Sequence, residues 1–255
     1  MEVKLSKRLC SIATYCEFYK GSCFLDIGAD HAKLLIYLAC KSILKKGIIS
    51  ELNLGPYLNS KRQIEKFKLQ NFIDVRLGDG FLVLKEEDFL AGLDIVIIAG
   101  LGGKLITEIL SKGKEAFPSK LHNITFILQP NEGEAILRNW LKKNYFFLLT
   151  EDLVKERNLF YDIIVVKGGK EKESLYKDSF LPEALLLEIG PYLWNLRHPL
   201  LREKILFLLK KKEQKVNFLN VALKKVKNSS LEKIELLTED LKKEISFLKN
   251  ALNFI

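Results

Sequence analysis

SCFLDIGADHAKLL, residues 22–35, reads as an apolar strand that ends near Asp26 and turns through Gly28 into a helix. That is the layout of a nucleotide-binding turn at the head of a parallel sheet. The dinucleotide spacing G-x-G-x-x-G is not met, because Asp30 stands where the second glycine belongs. A glycine there lets backbone approach a pyrophosphate, and a carboxylate would repel one. The turn therefore disfavours a dinucleotide and tolerates a ligand that carries positive charge. A plain strand-to-helix turn is the competing reading of this stretch alone.

The flanking sequence repeats the same alternation. Runs rich in Ile, Val, Phe and Leu at 22–27, 47–51, 74–77, 93–98 and 124–128 predict strands. Helical patterns are expected at 30–45, 58–68, 80–89, 104–112 and 133–144. Two further runs, 145–154 and 160–167, are separated by Lys155-Glu156-Arg157-Asn158 and predict a closing antiparallel hairpin. Alternating strands and helices give a mostly parallel sheet covered on both faces. Five β-α units and a hairpin describe an α/β, Rossmann-like, seven-stranded class I methyltransferase sheet.

A catalytic domain at 1–168 and a linker with helical domain at 169–255 are expected. Apolar residues at Leu201, Ile205, Leu208, Val216, Leu219, Leu223 and Val226 form one seam, and Ile234, Leu237, Leu241, Ile245, Leu248 and Leu252 form a second. Asn228-Ser229-Ser230 breaks the pattern between them, and Ser229 with Glu232 has the form of a capping box. The expectation is a C-terminal α-helical coiled-coil hairpin.

Acidic residues follow three successive strands. After Asp26 comes Glu51, at the end of the second strand, where an acid hydrogen-bonds the ribose of a bound nucleoside. Asp79, in Gly78-Asp79-Gly80 after the third, can accept from an adenine amino group. S-adenosylmethionine has no phosphate and carries a sulfonium and an ammonium, so Asp30 suits it better than NAD. The cofactor set expected is Asp26, Gly28, Asp30, His31, Glu51, Asp79, Gly80, Gly100 and Gly102.

The fourth strand ends in Ala99-Gly100-Leu101-Gly102-Gly103, with no polar side chain. Amino-directed DNA methyltransferases commonly place Asp/Asn-Pro-Pro-Tyr there. Its absence argues against attack by an exocyclic amine and for a ring nitrogen. Gln129-Pro130-Asn131 after the fifth strand adds amides at the same edge, or caps the helix that follows. His31 faces either the cofactor, the entering base or the helix start, whereas His122 and His198 read as structural.

The chain has 255 residues, 48% hydrophobic and 29% charged, enough for a large core plus a smaller unit. Lys4, Lys7, Arg8, Glu17 and Lys20 interrupt the first 20 residues, so no signal peptide is expected. No stretch approaches the roughly 20 apolar residues of a membrane span. Cys10, Cys16, Cys23 and Cys40 form no C-x-x-C, and read as cytosolic thiols rather than a disulfide or metal set. A cytoplasmic protein with no membrane and no metal partner is expected. Of the net charge of +9, residues 197–255 carry +7, from 14 Lys/Arg against seven Asp/Glu. A basic appendage on a near-neutral body fits a nucleic-acid partner; a solvated face in a lysine-rich chain is the alternative.

In combination these pieces resemble the bacterial tRNA (adenine-22-N1)-methyltransferases. The resemblance lies in Leu5-Ser6-Lys7-Arg8-Leu9, DIGADHAKL, GPYLNSKRQ (55–63), LGDGF (77–81), IAGLGG (98–103), QPN and Gly190-Pro191-Tyr192-Leu193. The sequence departs from that family at Lys33 and Leu35, within DHAKLL, where the family usually continues DHAYLP. It implies transfer of a methyl from S-adenosylmethionine to N1 of an adenine in the D-arm region of tRNA. Asp30, His31, Gln129, Pro130 and Asn131 are then the candidates bordering the acceptor, with Asp30 or Asn131 accepting from its amino group. Lys7, Arg8, Lys33, Arg62, Lys210, Lys211, Lys212, Lys215, Lys224, Lys225 and Lys227 are the candidate RNA contacts. A monomer or weak dimer is expected. The rival readings are a methyltransferase for another RNA, a protein or a small molecule, and a non-catalytic RNA-binding scaffold.

Overall fold

The computed structural model describes residues 3–29, 31–169, 173–177, 180–223 and 231–255. Asp30, Val226, the Asn228-Ser229-Ser230 break and the candidate contacts Lys224, Lys225 and Lys227 lie outside them. Two compact units result, Met1–Lys172 and Glu173–Ile255.

In the first unit the elements run α1 (Lys7–Glu17), β1 (Cys23–Ile27), α2 (Lys33–Cys40), β2 (Lys46–Glu51), α3 (Leu54–Lys66), β3 (Ile73–Leu77), α4 (Glu86–Leu90), β4 (Leu93–Leu101), α5 (Gly103–Ala116), β5 (Thr125–Pro130), α6 (Glu134–Lys143), β6 (Phe146–Glu156) and β7 (Leu159–Gly168). The strands form one seven-stranded sheet in the order β3-β2-β1-β4-β5-β7-β6. β1 to β5 are parallel, and β7 runs antiparallel between β5 and β6. The order reverses between β1 and β4, and open α/β sheets bind ligands at the strand C-termini beside such a switch. β1 and β5 are buried along their whole length, as strands covered on both faces must be.

In this unit two expectations need correction, and one helix was not foreseen. Residues 80–89 are not one helix: a 3-10 turn spans Gly80–Val83, Leu84 is extended, and only then does α4 begin. Gly80 at φ 55° starts that turn in a conformation that does not lead into α-helix. The helix expected over 30–45 is the shorter α2, and α1 was not foreseen. Ser6 caps α1 by accepting from the Leu9 N–H at 3.3 Å, and Ile12, Ala13 and Cys16 are its buried face.

The second unit holds a 3-10 turn at Glu173–Tyr176, then α7 (Glu183–Ile189), α8 (Pro191–Asn195), α9 (Leu201–Leu223) and α10 (Leu231–Ala251). Tyr176, near the start of the expected linker and helical domain, is only 2% exposed. Gly190 at φ 105° and Pro191 at the first position of α8 explain the Gly-Pro motif, which separates two short helices. α9 and α10 pack antiparallel: Arg202 donates to the carbonyls of Leu252 and Ile255, and Lys212 pairs with Glu244. The second seam departs from the expected register, since Leu237 is exposed and Thr238 is buried, its hydroxyl donating to the Ile234 carbonyl at 2.7 Å.

Candidate active site

The sheet register brings the expected strand ends level. Ile27 pairs with Ser50 and with Ile98, Glu51 with Leu77, and Ala99 with Gln129. Asp26, Glu51, Asp79, Gly100 and Asn131 thus stand along one edge. A cleft of about 420 Å³ opens there, its walls including Arg8, Asp26, Gly28, His31, Lys33 and Gly100. That size suits a ligand of a few dozen atoms at most.

Gly28, at φ 75°, donates its N–H to the Ser50 carbonyl at 2.9 Å, which ties the first turn to β2. Ala32, where a further glycine is common in such loops, also takes a left-handed conformation at φ 55°. Asn59 of α3 hydrogen-bonds His31 Nδ1 at 2.5 Å and holds the loop from the other side.

Asp26 and Glu51 are both buried, at 5% and 4% exposure. Burial first, and then the Glu51 carboxylate, raise the Asp26 pKa to about 7. Glu51 accepts from the Ser60 hydroxyl at 3.5 Å. Asp79 is tied to Lys112 by an ion pair of 2.5 Å, a partner that its sequence neighbourhood does not announce.

The Asp26 shift makes stability depend on pH. Its folded pKa of about 7 lies above its ordinary 3.8, so folding favours the protonated form. The contribution is fully present below about pH 3.8 and is lost as pH rises through about 7. Asp26→Asn removes that dependence, so its melting temperature gains on the wild type's between pH 4 and 7 and levels off above. Parallel melting curves across that range would contradict the shift.

The other side of the cleft is a network of amides. Gln129, fully buried, accepts at Oε1 from the Gly100 N–H at 3.0 Å and from Arg8 Nη1, and donates from Nε2 to the Pro130 carbonyl at 2.6 Å. Asn131 donates from Nδ2 to the Gly100 carbonyl at 2.6 Å, and its N–H donates to the Leu101 carbonyl at 2.7 Å. Gly103 donates its N–H to the Glu132 carbonyl at 2.7 Å, and a Cβ there would stand 2.3 Å from the Gly133 carbonyl oxygen. The glycine at 103 thus lets the β4–α5 turn approach the chain's own β5–α6 turn closely.

A family model described as tRNA (adenine(22)-N(1))-methyltransferase matches residues 24–250. The chain belongs to that family. A tRNA (adenine(22)-N(1))-methyltransferase of Bacillus subtilis (strain 168) is 37% identical over 192 residues, 75% of this chain and 76% of that one. The crystal structure of the B. subtilis m1A22 tRNA methyltransferase TrmK superposes with a TM-score of 0.82 at 30% identity, over 98% of this chain and all of that one. A Streptococcus pneumoniae protein crystallised in complex with S-adenosyl-L-methionine gives 0.74 at 30% identity, over 98% and 100%. S-adenosylmethionine is the methyl donor of this tRNA methyltransferase family, and the seven-stranded sheet is the fold expected of it.

Within this family fold the sequence-derived site residues divide. Asp26, Gly28, His31 and Gly100 line the cleft, while Glu51, Asp79, Gly80, Gly102, Gln129, Pro130 and Asn131 stand on the same edge. Arg8, half-buried, is a wall of the cleft: its guanidinium lies over the Tyr161 ring at 5.6 Å and reaches Gln129. Lys212 stands between Glu188 at 2.7 Å and Glu244 at 2.9 Å. Lys7, Lys33, Arg62, Lys210, Lys211 and Lys215 are exposed. Sequence reasoning missed Arg8 as a pocket residue and Gly103 as a packing one. Ser6 ahead of Lys7-Arg8 was the available signal, since a cap there puts Arg8 in a first helical turn.

All four cysteines are free thiols. Among the described residues no group of His, Cys, Asp and Glu is placed to hold a metal, and no helix is long and apolar enough to cross a membrane.

Proposed function

We propose that the cleft at the ends of β1 and β4 is where N1 of adenine 22 of tRNA meets the methyl donor. The single observation carrying this reading is the acceptor wall, in which the Gly100 backbone is fixed by the amides of Gln129 and Asn131. An exocyclic amine sheds a proton as it is methylated, whereas adenine N1 attacks with an in-plane lone pair and needs no base. A wall of oriented amides suits that task.

The donor set fits S-adenosylmethionine. The raised pKa of Asp26 marks an edge that gains from positive charge, and that molecule brings a sulfonium and an ammonium without a phosphate. Bound there, it supplies a sulfonium methyl: the N1–CH3 bond forms as S–CH3 breaks, and the positive charge moves from sulfur to the purine. Glu51 holds the ribose hydroxyls, and Asp79 with the Gly80 turn borders the adenine end. Asn131 Oδ1 accepts from the target's amino group, Gln129 locks Asn131 and Gly100 in place, and Arg8 fixes the orientation of the Gln129 amide. Asp30 and His31 complete the acceptor border. Pro130 ends β5 and starts the turn that presents Asn131.

N1 is engaged in Watson–Crick pairing, so a paired target is opened before transfer. Lys7, Lys210, Lys211 and Lys215 contact the tRNA backbone, and deletion from Arg197 onward weakens tRNA binding in a salt-dependent way. The enzyme acts in the cytoplasm as a monomer or weak dimer. The reading is tested with two unmodified tRNA transcripts that differ only at position 22. Adenosine there is methylated and guanosine is not; equal incorporation into both would place the methyl elsewhere.

A further inference from the structure

A second cleft, of about 310 Å³, adjoins the reaction pocket and shares His31 and Lys33 with it. Lys4, from the segment ahead of α1, and Gln63 and Lys66 of α3 are among its other walls. No carboxylate lines it among the described residues. Lys4, Lys33 and Lys66 are exposed, and among the described residues none of them is held in an ion pair. Other lysines of the same unit are neutralised, Lys112 by Asp79 and Lys120 by Glu86. Arg62, also exposed, lies four residues before Lys66 and so one helical turn away on the same side of α3. The Asn59–His31 hydrogen bond fixes α3 against the turn after β1, so the two walls are held at a set separation.

We infer that this cleft receives the tRNA backbone next to the target adenosine, with its phosphates against Lys4, Lys33 and Lys66. The inference rests on the methyl-transfer reading. A base taken out of its stack stays joined through its sugar to a phosphate on each side. Those phosphates therefore sit at the rim of the pocket, within one nucleotide of the reacting ring. The basic cleft shares its wall with that rim. Cations left without acidic partners in a cleft gain most from a polyanion, which releases its condensed counterions on binding. These contacts are separate from the lysines of α9, which belong to the other unit.

Lys4 and Lys66 lie outside the walls of the reaction pocket, so a Lys4→Gln, Lys66→Gln double variant isolates the cleft. Three quantities are measured for the variant and the wild type: the KM and kcat with unmodified tRNA, the dissociation constant for tRNA from 50 to 200 mM salt, and the affinity for S-adenosylmethionine. The expected result is a KM for tRNA raised about tenfold with a much smaller change in kcat. The slope of log affinity against log salt becomes shallower by roughly 0.7–0.9 per lost phosphate contact. Affinity for S-adenosylmethionine stays at the wild-type value. Lys66→Glu, which repels phosphate outright, lowers tRNA affinity further than Lys66→Gln. Equal tRNA affinity and an unchanged salt slope in the double variant would overturn the cleft, with wild-type methyl transfer still upholding the reading beneath it. Failure of the wild type to methylate tRNA would overturn that reading, and the cleft with it.

Discussion

Glu51→Ala is expected to raise the dissociation constant for S-adenosylmethionine at least about 100-fold. A buried carboxylate that accepts from two ribose hydroxyls makes charge-assisted bonds of roughly 1.5–3 kcal/mol each, and 1.4 kcal/mol is a factor of ten. The loss falls on binding and not on folding. Glu51 is one of the two causes that raise the Asp26 pKa, so its removal relieves a repulsion between buried carboxylates. The variant therefore folds normally, and the Asp26 pKa moves down toward its ordinary range. Calorimetric titration with the donor reads the first effect, and the pH dependence of melting reads the second. A Glu51→Ala protein that binds S-adenosylmethionine as well as the wild type would remove this residue from the site.

The largest stability effect is expected at Arg138. Its side chain, on α6, is fully buried and donates to Glu151 of β6 at 2.6 Å and to Asp162 of β7 at 2.5 Å, both also buried. Burial by itself lowers the guanidinium pKa, but Glu151 and then Asp162 outweigh it and leave the pKa raised, so the group stays charged. Arg138→Ala leaves two carboxylates in the interior without their cation, at a cost of about 3–5 kcal/mol. For a protein of this size the melting temperature drops by roughly 10 °C or more. The damage reaches the site, because the same two strands hold α1. Asp152 of β6 accepts from the Ser11 hydroxyl at 2.6 Å, and Tyr161 of β7 lies under Arg8. Replacing all three members by apolar residues (Arg138→Met, Glu151→Leu, Asp162→Leu) recovers most of the loss. An Arg138→Ala protein that melts within about a degree of the wild type would contradict this account.

The sheet was legible because its signal is local. Five apolar runs bounded by turn residues gave β1 to β5, and a sixth and seventh run separated by Lys155-Glu156-Arg157-Asn158 gave the hairpin of β6 and β7. The acidic strand ends were legible for the same reason, since parallel strands of similar length bring their C-termini to one edge. What escaped depends on contacts distant in sequence. Arg8 meets Gln129 across 121 positions, and the cap signal at Ser6 starts a helix in Leu5-Ser6-Lys7-Arg8-Leu9 without naming the side chain that Arg8 meets. Lys212 looked like its neighbours Lys210 and Lys211 until α7 and α10 brought Glu188 and Glu244 to it. Lys112 reaches Asp79 over 33 positions. The α10 register slipped for a different reason: Thr238 satisfies its hydroxyl on its own helix, so it is buried where Leu237 was expected.

The central claim is that the methyl goes to N1 of adenine 22 in tRNA. The most direct measurement incubates the protein with unmodified tRNA and S-adenosylmethionine, then maps the product by reverse transcription. A methyl on N1 blocks Watson–Crick pairing, so the account predicts a stop at position 22 that appears only when protein and donor are both present. Methyl incorporation without a stop at that adenosine, or a stop at another position, would contradict it.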